Sequence, residues 1–471
     1  MRILVLESST TSAKALLYTD RQGVLKVMTE AYLPEYSDGR TQDAEGVFRQ
    51  TASVGRRAAE GCEVDMIALS GTWHSILACD RFFRPATRTY SWQYMGASAV
   101  VQELRKDSAF VKRFYQTTGC MVHGTYPVFK LLHLERQGMD PENLRLMGQG
   151  TYNFHRLTGC FLLSESMASG SGFLDIRKKK LSVPVLELAG VRADQFGKLT
   201  DCREVRPLSE EGARLLGLKS GIPVLTAHPD GALNQVGAGA LGAGVMTLSI
   251  GTSAALRLST LRPVIPEKPS TWCYLSPSGW LSGAATAGAC NCVDWVKNRF
   301  FPPSVTYREI EAGRVETGDL PVCLPFLYGE RCPGWRDDRK ASFFGVGGRH
   351  GAADFYFSTL EGVLYNLFQC YEVLCSINGP PRTIKLSGGI LHSRIWTQMC
   401  CDIFQREMEC SDQDQMSLVG GAVLALQQCG VIGNLLDFRA GRGTAVRPNP
   451  EKEEQYAERY RRYLELYEKT K

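Results

Sequence analysis

The sequence predicts an α/β protein of two similar lobes, and three observations carry that prediction. The chain has 471 residues, too long for one compact core at ~100–200 residues per domain. A strand–polar turn–strand pattern occurs twice, marked by Thr11-Ser12-Ala13 and again by Thr252-Ser253-Ala254. A glycine-rich stretch, Gly237-Ala238-Gly239-Ala240-Leu241-Gly242-Ala243-Gly244, precedes the second copy. Two copies half a chain apart indicate two lobes of one architecture rather than a solenoid of short repeats. The boundary is placed at residues 1–243 and 244–471, with the glycine-rich stretch as linker and hinge.

Each element follows from local pattern. Ile3 and Val5 lie in a short apolar run, Glu7 to Ser12 form a polar turn, and Ala13 to Tyr18 resume the apolar run. Asp20-Arg21-Gln22-Gly23 is a turn and Val24 to Val27 open a third strand. The second copy has strands at Val245–Ile250 and Ala255–Leu258 around the turn Gly251-Thr252-Ser253-Ala254. Pro127 stands near the start of an amphipathic helix through Val128 to Leu134. Near the end, Tyr456, Tyr460, Tyr463 and Tyr467 share one helical face and read as a docking stripe.

Composition excludes several classes. A hydrophobic share of 44%, a charged share of 22% and a net charge of +5 are those of an ordinary globular protein. The run Lys178-Lys179-Lys180 is too short to imply nucleic acid. No stretch of ~18 apolar residues is present, so no membrane span is expected. The start, MRILVLESS, does not read as a signal peptide, and sixteen cysteines then read as reduced thiols of a cytoplasmic protein. Neither Cys290-Asn291-Cys292 nor Cys400-Cys401 has zinc-ligand spacing.

The segments fit for phosphate are small-residue turns at strand ends, where backbone N–H groups and hydroxyls approach an anion closely. There is no GxxxxGK[ST] loop and no dinucleotide fingerprint. Five segments, in order, resemble the FGGY carbohydrate kinases of the actin–hexokinase–Hsp70 superfamily. Glu7-Ser8-Ser9-Thr10-Thr11-Ser12-Ala13-Lys14 is similar to that family's opening Asp-x-Gly-Thr-Thr-Ser-x-Lys, and His228-Pro229-Asp230-Gly231-Ala232 to its catalytic Gly-x-Asp. Ser249-Ile250-Gly251-Thr252-Ser253-Ala254 is similar to its second phosphate turn, and Leu386-Ser387-Gly388-Gly389 with Ser393 to its adenosine motif. The most specific match is Leu324-Pro325-Phe326-Leu327-Tyr328-Gly329-Glu330-Arg331-Cys332-Pro333, which resembles Leu-Pro-x-x-x-Gly-Glu-Arg-x-Pro.

The resemblance implies two ribonuclease H-like, actin-like ATPase lobes with the active site in the cleft between them. It implies ATP and Mg²⁺ as cofactors and a small sugar or sugar acid as acceptor, and it admits a homodimer. By resemblance, Asp230 is the base that takes the hydroxyl proton, and Glu7 with Asp230 holds the metal. Thr10, Thr11, Ser12 and Lys14 face the transferred phosphate, Gly251 and Thr252 meet ATP, and Gly388, Gly389 and Ser393 line the nucleoside. Thr72, His74, Trp92 and His123 are the expected acceptor contacts.

Departures from the pattern bear on the acceptor. Tyr94 and Gly96 stand where the family's Trp-x-Asp-x-Arg carries its Asp and Arg. Glu7 replaces Asp, Ser9 replaces Gly, and Gly288-Ala289-Cys290 lacks a Gly-Gly pair. Gly119-Cys120-Met121-Val122-His123 with Tyr126, Pro127 and Lys130 is most similar to the gluconate kinase branch, so gluconate to 6-phosphogluconate is the expected reaction. A gluconate carboxylate calls for a cationic partner, for which Lys130 or His123 is available. Three other readings stay open: a kinase for another ketose or polyol such as xylulose, a catalytically silent sugar- or nucleotide-binding protein on the same fold, and an actin- or Hsp70-like ATPase without a sugar.

Overall fold

A computed structural model describes residues 1–313, 319–411, 415–441 and 443–470. Two sheets of seven strands each form its frame. In the first, Arg2–Ser8, Ser12–Thr19 and Gly23–Ala31 make an antiparallel meander. Met66–Gly71 then pairs parallel to the first strand, Pro223–Leu225 parallel to Met66–Gly71, and Val205–Pro207 antiparallel at the edge. His228–Pro229 adds a short parallel bridge beside Ser70 and Gly71.

The second sheet repeats this order. Val245–Ile250, Ala254–Thr260 and Gly279–Thr286 are the meander. Thr383–Ser387 pairs parallel to Val245–Ile250, Met408–Cys410 parallel to Thr383–Ser387, and Thr444–Val446 antiparallel at the edge. One further strand, Trp272–Ser276, extends the meander side. The repeated Thr-Ser-Ala therefore marks equivalent turns, and the two-lobed α/β fold expected from the sequence is the fold observed.

The fully apolar faces of Ile3, Val5, Met66 and Ala68 need a cover, and a helix from the far end of the chain supplies it. Met416–Gln428 lays Leu418, Ala422 and Val423 on that face, although it lies beyond residue 244 in sequence. The same helix crosses Asp230–Gly237 at backbone contact. A Cβ on Gly237 would come within 2.0 Å of the Met416 carbonyl oxygen, and one on Gly420 within 1.9 Å of that of Leu233. Gly237 is thus required by close approach of two helices, which corrects its reading as a hinge residue. In the rest of the stretch, Gly239 and Gly244 adopt φ of 60° and 75°, where glycine is favoured.

The expected helix at Pro127 runs from Pro127 to Arg136. The C-terminal helix Glu453–Lys469 buries Tyr456, Tyr460, Tyr463 and Tyr467, as the stripe predicts. Tyr463 packs on Tyr365 of the long helix Ala352–Asn378 with ring centroids 5.6 Å apart. Among the described residues no helix is long and apolar enough to cross a membrane, and all sixteen cysteines are free thiols.

The helix crossing yields a stability test. Gly420→Ala drives a Cβ into rigid backbone and is expected to cost about 3 kcal/mol, read from denaturant midpoints. Gly433→Ala, where nothing lies within 4 Å of the added carbon, is the control and is expected to shift the midpoint little.

Candidate active site

The site is assembled from strand ends. The register of the first sheet sets Glu7 opposite Lys14 on one side and Ser70 on the other. Lys14 Nζ lies 2.9 Å from Glu7 Oε1, Ser70 Oγ donates to Oε2 at 2.8 Å, and Ser417 Oγ donates to the same oxygen from the crossing helix. Burial by itself raises the Glu7 pKa, but Lys14 and the hydrogen bonds from Ser417, Lys14 and Ser70 outweigh it and hold the carboxyl below its ordinary range.

Asp230 is the first residue of the helix Asp230–Gly237, placed there by the short strand at His228–Pro229. Burial, reinforced by repulsion from Glu7, pushes its carboxyl up to about 6; Arg257 and Lys14 oppose the shift. The nearby helix N-terminus favours the ionised form. A buried carboxyl poised near neutrality, in a cleft, has the character of a general base.

Around Asp230 lies a cavity of about 350 Å³ that collects Thr10, Thr11, Thr72, His74, Trp92, Gly251 and Thr252 from both lobes. Trp92 Nε1 donates to Thr10 Oγ1 at 2.9 Å, tying the expected acceptor contact to the first polar turn. His74 sits at φ 65° with Nδ1 2.6 Å from the Gly170 carbonyl oxygen. Burial, together with Arg331, holds its ring neutral well below the ordinary histidine range. With Nδ1 protonated toward that carbonyl, Nε2 is left as an acceptor. Trp272 stacks on Tyr274 with centroids 4.2 Å apart, Trp73 packs on Tyr274 at 5.0 Å, and together they make an aromatic floor.

Other expected site residues lie outside this cavity. Ser12 closes the first turn on Ser9, which itself lines the cavity, with Ser9 Oγ donating to the Ser12 carbonyl at 2.8 Å, and Lys14 is engaged by Glu7. Gly388 and Gly389 sit behind the Gly251 turn. A Cβ on Gly388 would fall 2.5 Å from the Ile250 oxygen, and one on Gly389 3.1 Å from Cys290 Sγ. Ser393 Oγ caps the helix Arg394–Phe404 by accepting from Trp396 N at 3.0 Å. His123 lines a neighbouring cavity of about 740 Å³, with Nε2 2.9 Å from Asp337.

Lys130 requires a correction. It is fully buried, and its ammonium donates to the carbonyls of His74, at 2.7 Å, and Ser91. Burial and Arg331 push its pKa well below the ordinary lysine range. It braces the acceptor strand and does not enter the cleft. The cations that do line the cavity are Arg257 and Arg331, neither of which was singled out as a cleft cation from sequence. Arg331 lay in plain view in the Gly-Glu-Arg signature; Arg257, mid-strand, carried no signal beyond its charge. Tyr94 bonds through its hydroxyl to His133 Nε2 at 3.1 Å, and its ring stands where a Cβ on Gly96 would go.

Comparison with known proteins identifies the family. Residues 2–237 match the FGGY family of carbohydrate kinases, N-terminal domain, and residues 246–429 match its C-terminal domain. A gluconokinase of Bacillus subtilis is 27% identical, with 99% of this chain and 94% of that protein covered. A gluconate kinase from Lactobacillus acidophilus superposes with a TM-score of 0.92 at 23% identity, covering 99% of this chain and 97% of that one. A ligand-bound xylulose kinase from the same organism superposes at 0.91, also at 23% identity, over the same shares. With both family models matched along nearly its whole length, on two lobes that repeat one sheet order, the chain belongs to the FGGY family of carbohydrate kinases.

Proposed function

We propose that this carbohydrate kinase transfers the γ-phosphoryl group of ATP to the primary hydroxyl of an aldonate, with gluconate to 6-phosphogluconate as the reaction. The observation that carries the acceptor reading is charge. The cavity is lined by Arg257 and Arg331 against one carboxylate, Asp230, and the acidic residue of the family's Trp-x-Asp-x-Arg is Tyr94 here. A site with surplus guanidinium groups favours an acidic acceptor over a neutral one. The gluconokinase likeness along the full chain supports the same choice.

In this reading the acceptor lies on the Trp73, Trp272 and Tyr274 floor with its hydroxyl at Asp230. Asp230 takes the hydroxyl proton as the oxygen bonds to the γ-phosphorus and the bond to the β–γ bridging oxygen breaks, releasing ADP. Thr10 and Thr11 from one lobe and Gly251 and Thr252 from the other offer hydroxyl and N–H donors to the transferred group. Gly388, Gly389 and Ser393, behind the Gly251 turn, are proposed to lie toward the nucleoside, and Lys14 acts on the phosphate only through Glu7. The stretch 238–244, ahead of the second sheet, is where lobe closure would be absorbed, between 1–243 with the helix Met416–Gln428 packed on it and the rest of 244–471.

Mg²⁺ fits beside Glu7 and Asp230, two carboxylates near enough for Glu7 to raise the pKa of Asp230. Both Glu7 oxygens are already hydrogen-bonded or ion-paired, so Glu7 fits as a partner through water and Asp230 as the open one. Bound there, the ion would neutralise phosphate charge.

A coupled ADP-release screen of sugar acids, ketoses and polyols tests the acceptor, and turnover with gluconate but not xylulose is expected. Asp230→Asn is expected to lower kcat at least about 10²-fold while gluconate and nucleotide binding by calorimetry stay within a few fold; undiminished turnover would remove Asp230 from its role. Because the ionised carboxylate is the active form and its pKa is about 6, kcat/KM should fall tenfold per pH unit below that value and level off above it. Glu7→Gln is expected to raise the Mg²⁺ concentration giving half-maximal rate, and an unaltered requirement would argue against its metal role.

A further inference from the structure

Arg331 is a buried cation without a counter-charge. Only 9% of its surface is exposed, and its Nε is buried with no hydrogen-bond partner among the described residues. The acids nearest in sequence are engaged elsewhere. Glu330 is paired with Arg339 at 2.9 Å, accepts from Gly334 N at 2.9 Å and is bonded by the Tyr467 hydroxyl. Asp337 is held by His123 at 2.9 Å, by Ser98 at 3.3 Å and by Arg105 at 4.0 Å. No carboxylate oxygen of the described residues lies within 4.0 Å of Arg331. A desolvated guanidinium left this way is costly unless an anion arrives.

Its position is also specific. Arg331 lines both the Asp230 cavity and the neighbouring one, with its guanidinium carbon 6.0 Å from the Trp92 ring centroid. Arg257 lines the same cavity beside Asp230. Its Nη2 would lie 3.1 Å from a Cβ on Gly231, the residue after Asp230. Its Nε is likewise unpartnered. The two arginines thus line one cavity with Trp73, Trp272 and Tyr274, Arg257 beside Gly231 and Arg331 over Trp92.

We propose that Arg331 determines acceptor specificity by taking the carboxylate of the aldonate in a bidentate pair at the end of the cavity away from Asp230. The chain of the acid then runs along the aromatic floor and delivers its far, primary hydroxyl to Asp230, while Arg257 stays beside Asp230. This assignment rests on the aldonate reading above. It also accounts for Tyr94, since a carboxylate of the family's Asp at that position would add a negative charge near the one to be bound.

The test uses steady-state kinetics of the full chain with gluconate, a neutral polyol such as glucitol, and the short acid threonate as an unreactive competitor. Arg331→Met is expected to raise the gluconate KM about 10²-fold, to change kcat and the KM for ATP by less than about threefold, and to abolish inhibition by threonate. Arg331→Lys, which keeps the charge but not the fork, is expected to raise KM about tenfold, and it serves where the Met variant does not fold. Arg257→Met is expected to lower kcat and leave the gluconate KM within about threefold. If the wild type uses gluconate and both Arg331 variants keep its KM, the Arg331 assignment is overturned and the gluconate reading stands. If the KM loss follows Arg257 instead, the orientation is reversed and the proposal fails. If the wild type phosphorylates only neutral sugars, both readings fall together.

Discussion

The contact on which this molecule turns is the crossing of two helices at glycine, with Gly237 against the Met416 carbonyl and Gly420 against that of Leu233. Backbone meets backbone there because neither position carries a side chain. The crossing locks the helix that begins at Asp230 to the helix that begins at Met416. Their leading ends then converge on Glu7, Ser417 by hydrogen bond and Asp230 by charge. A displacement of either helix would separate groups from distant parts of the chain, which is why packing far from the cleft sets its chemistry.

Two carboxylates enter this convergence with opposite fates. Glu7 is given a lysine and two hydroxyls and is fixed as an anion. Asp230 is given burial and a like charge that Arg257 and Lys14 only partly offset, and its affinity for a proton rises toward neutrality. The difference arises from strand register, since Lys14 and Ser70 are the residues paired with Glu7, whereas Asp230 stands at a helix start with no facing strand. The arginines of the cavity complete a preorganised charge pattern that needs little rearrangement when an anion binds.

The strand–turn–strand repeat, the Pro127 helix and the tyrosine stripe were legible because each is set by local period and turn chemistry. Asp230, Thr10, Thr11, Thr72, His74, Trp92, Gly251 and Thr252 were legible as one group because segment order survives where individual residues change, and the cavity brings them together. The misreadings share a cause. Lys130 and Gly237 were judged by what their side chains can do, whereas their roles depend on what surrounds them. An ammonium enclosed by two carbonyls is a brace, and a glycine under a carbonyl is a spacer.

By itself the amino-acid sequence determined the two-lobed architecture, the polar turns and the identity of the carboxylate at the heart of the cleft, because periodicity, turn residues and motif order are properties of contiguous segments. Only the tertiary structure decided which cations reach the cavity. Charge is written at every ionisable residue alike, but its use depends on burial and on the partners the fold brings to it: Arg339 and the Tyr467 hydroxyl take up Glu330, His123 takes up Asp337, and the Nε atoms of Arg257 and Arg331 are left without a hydrogen-bond partner among the described residues.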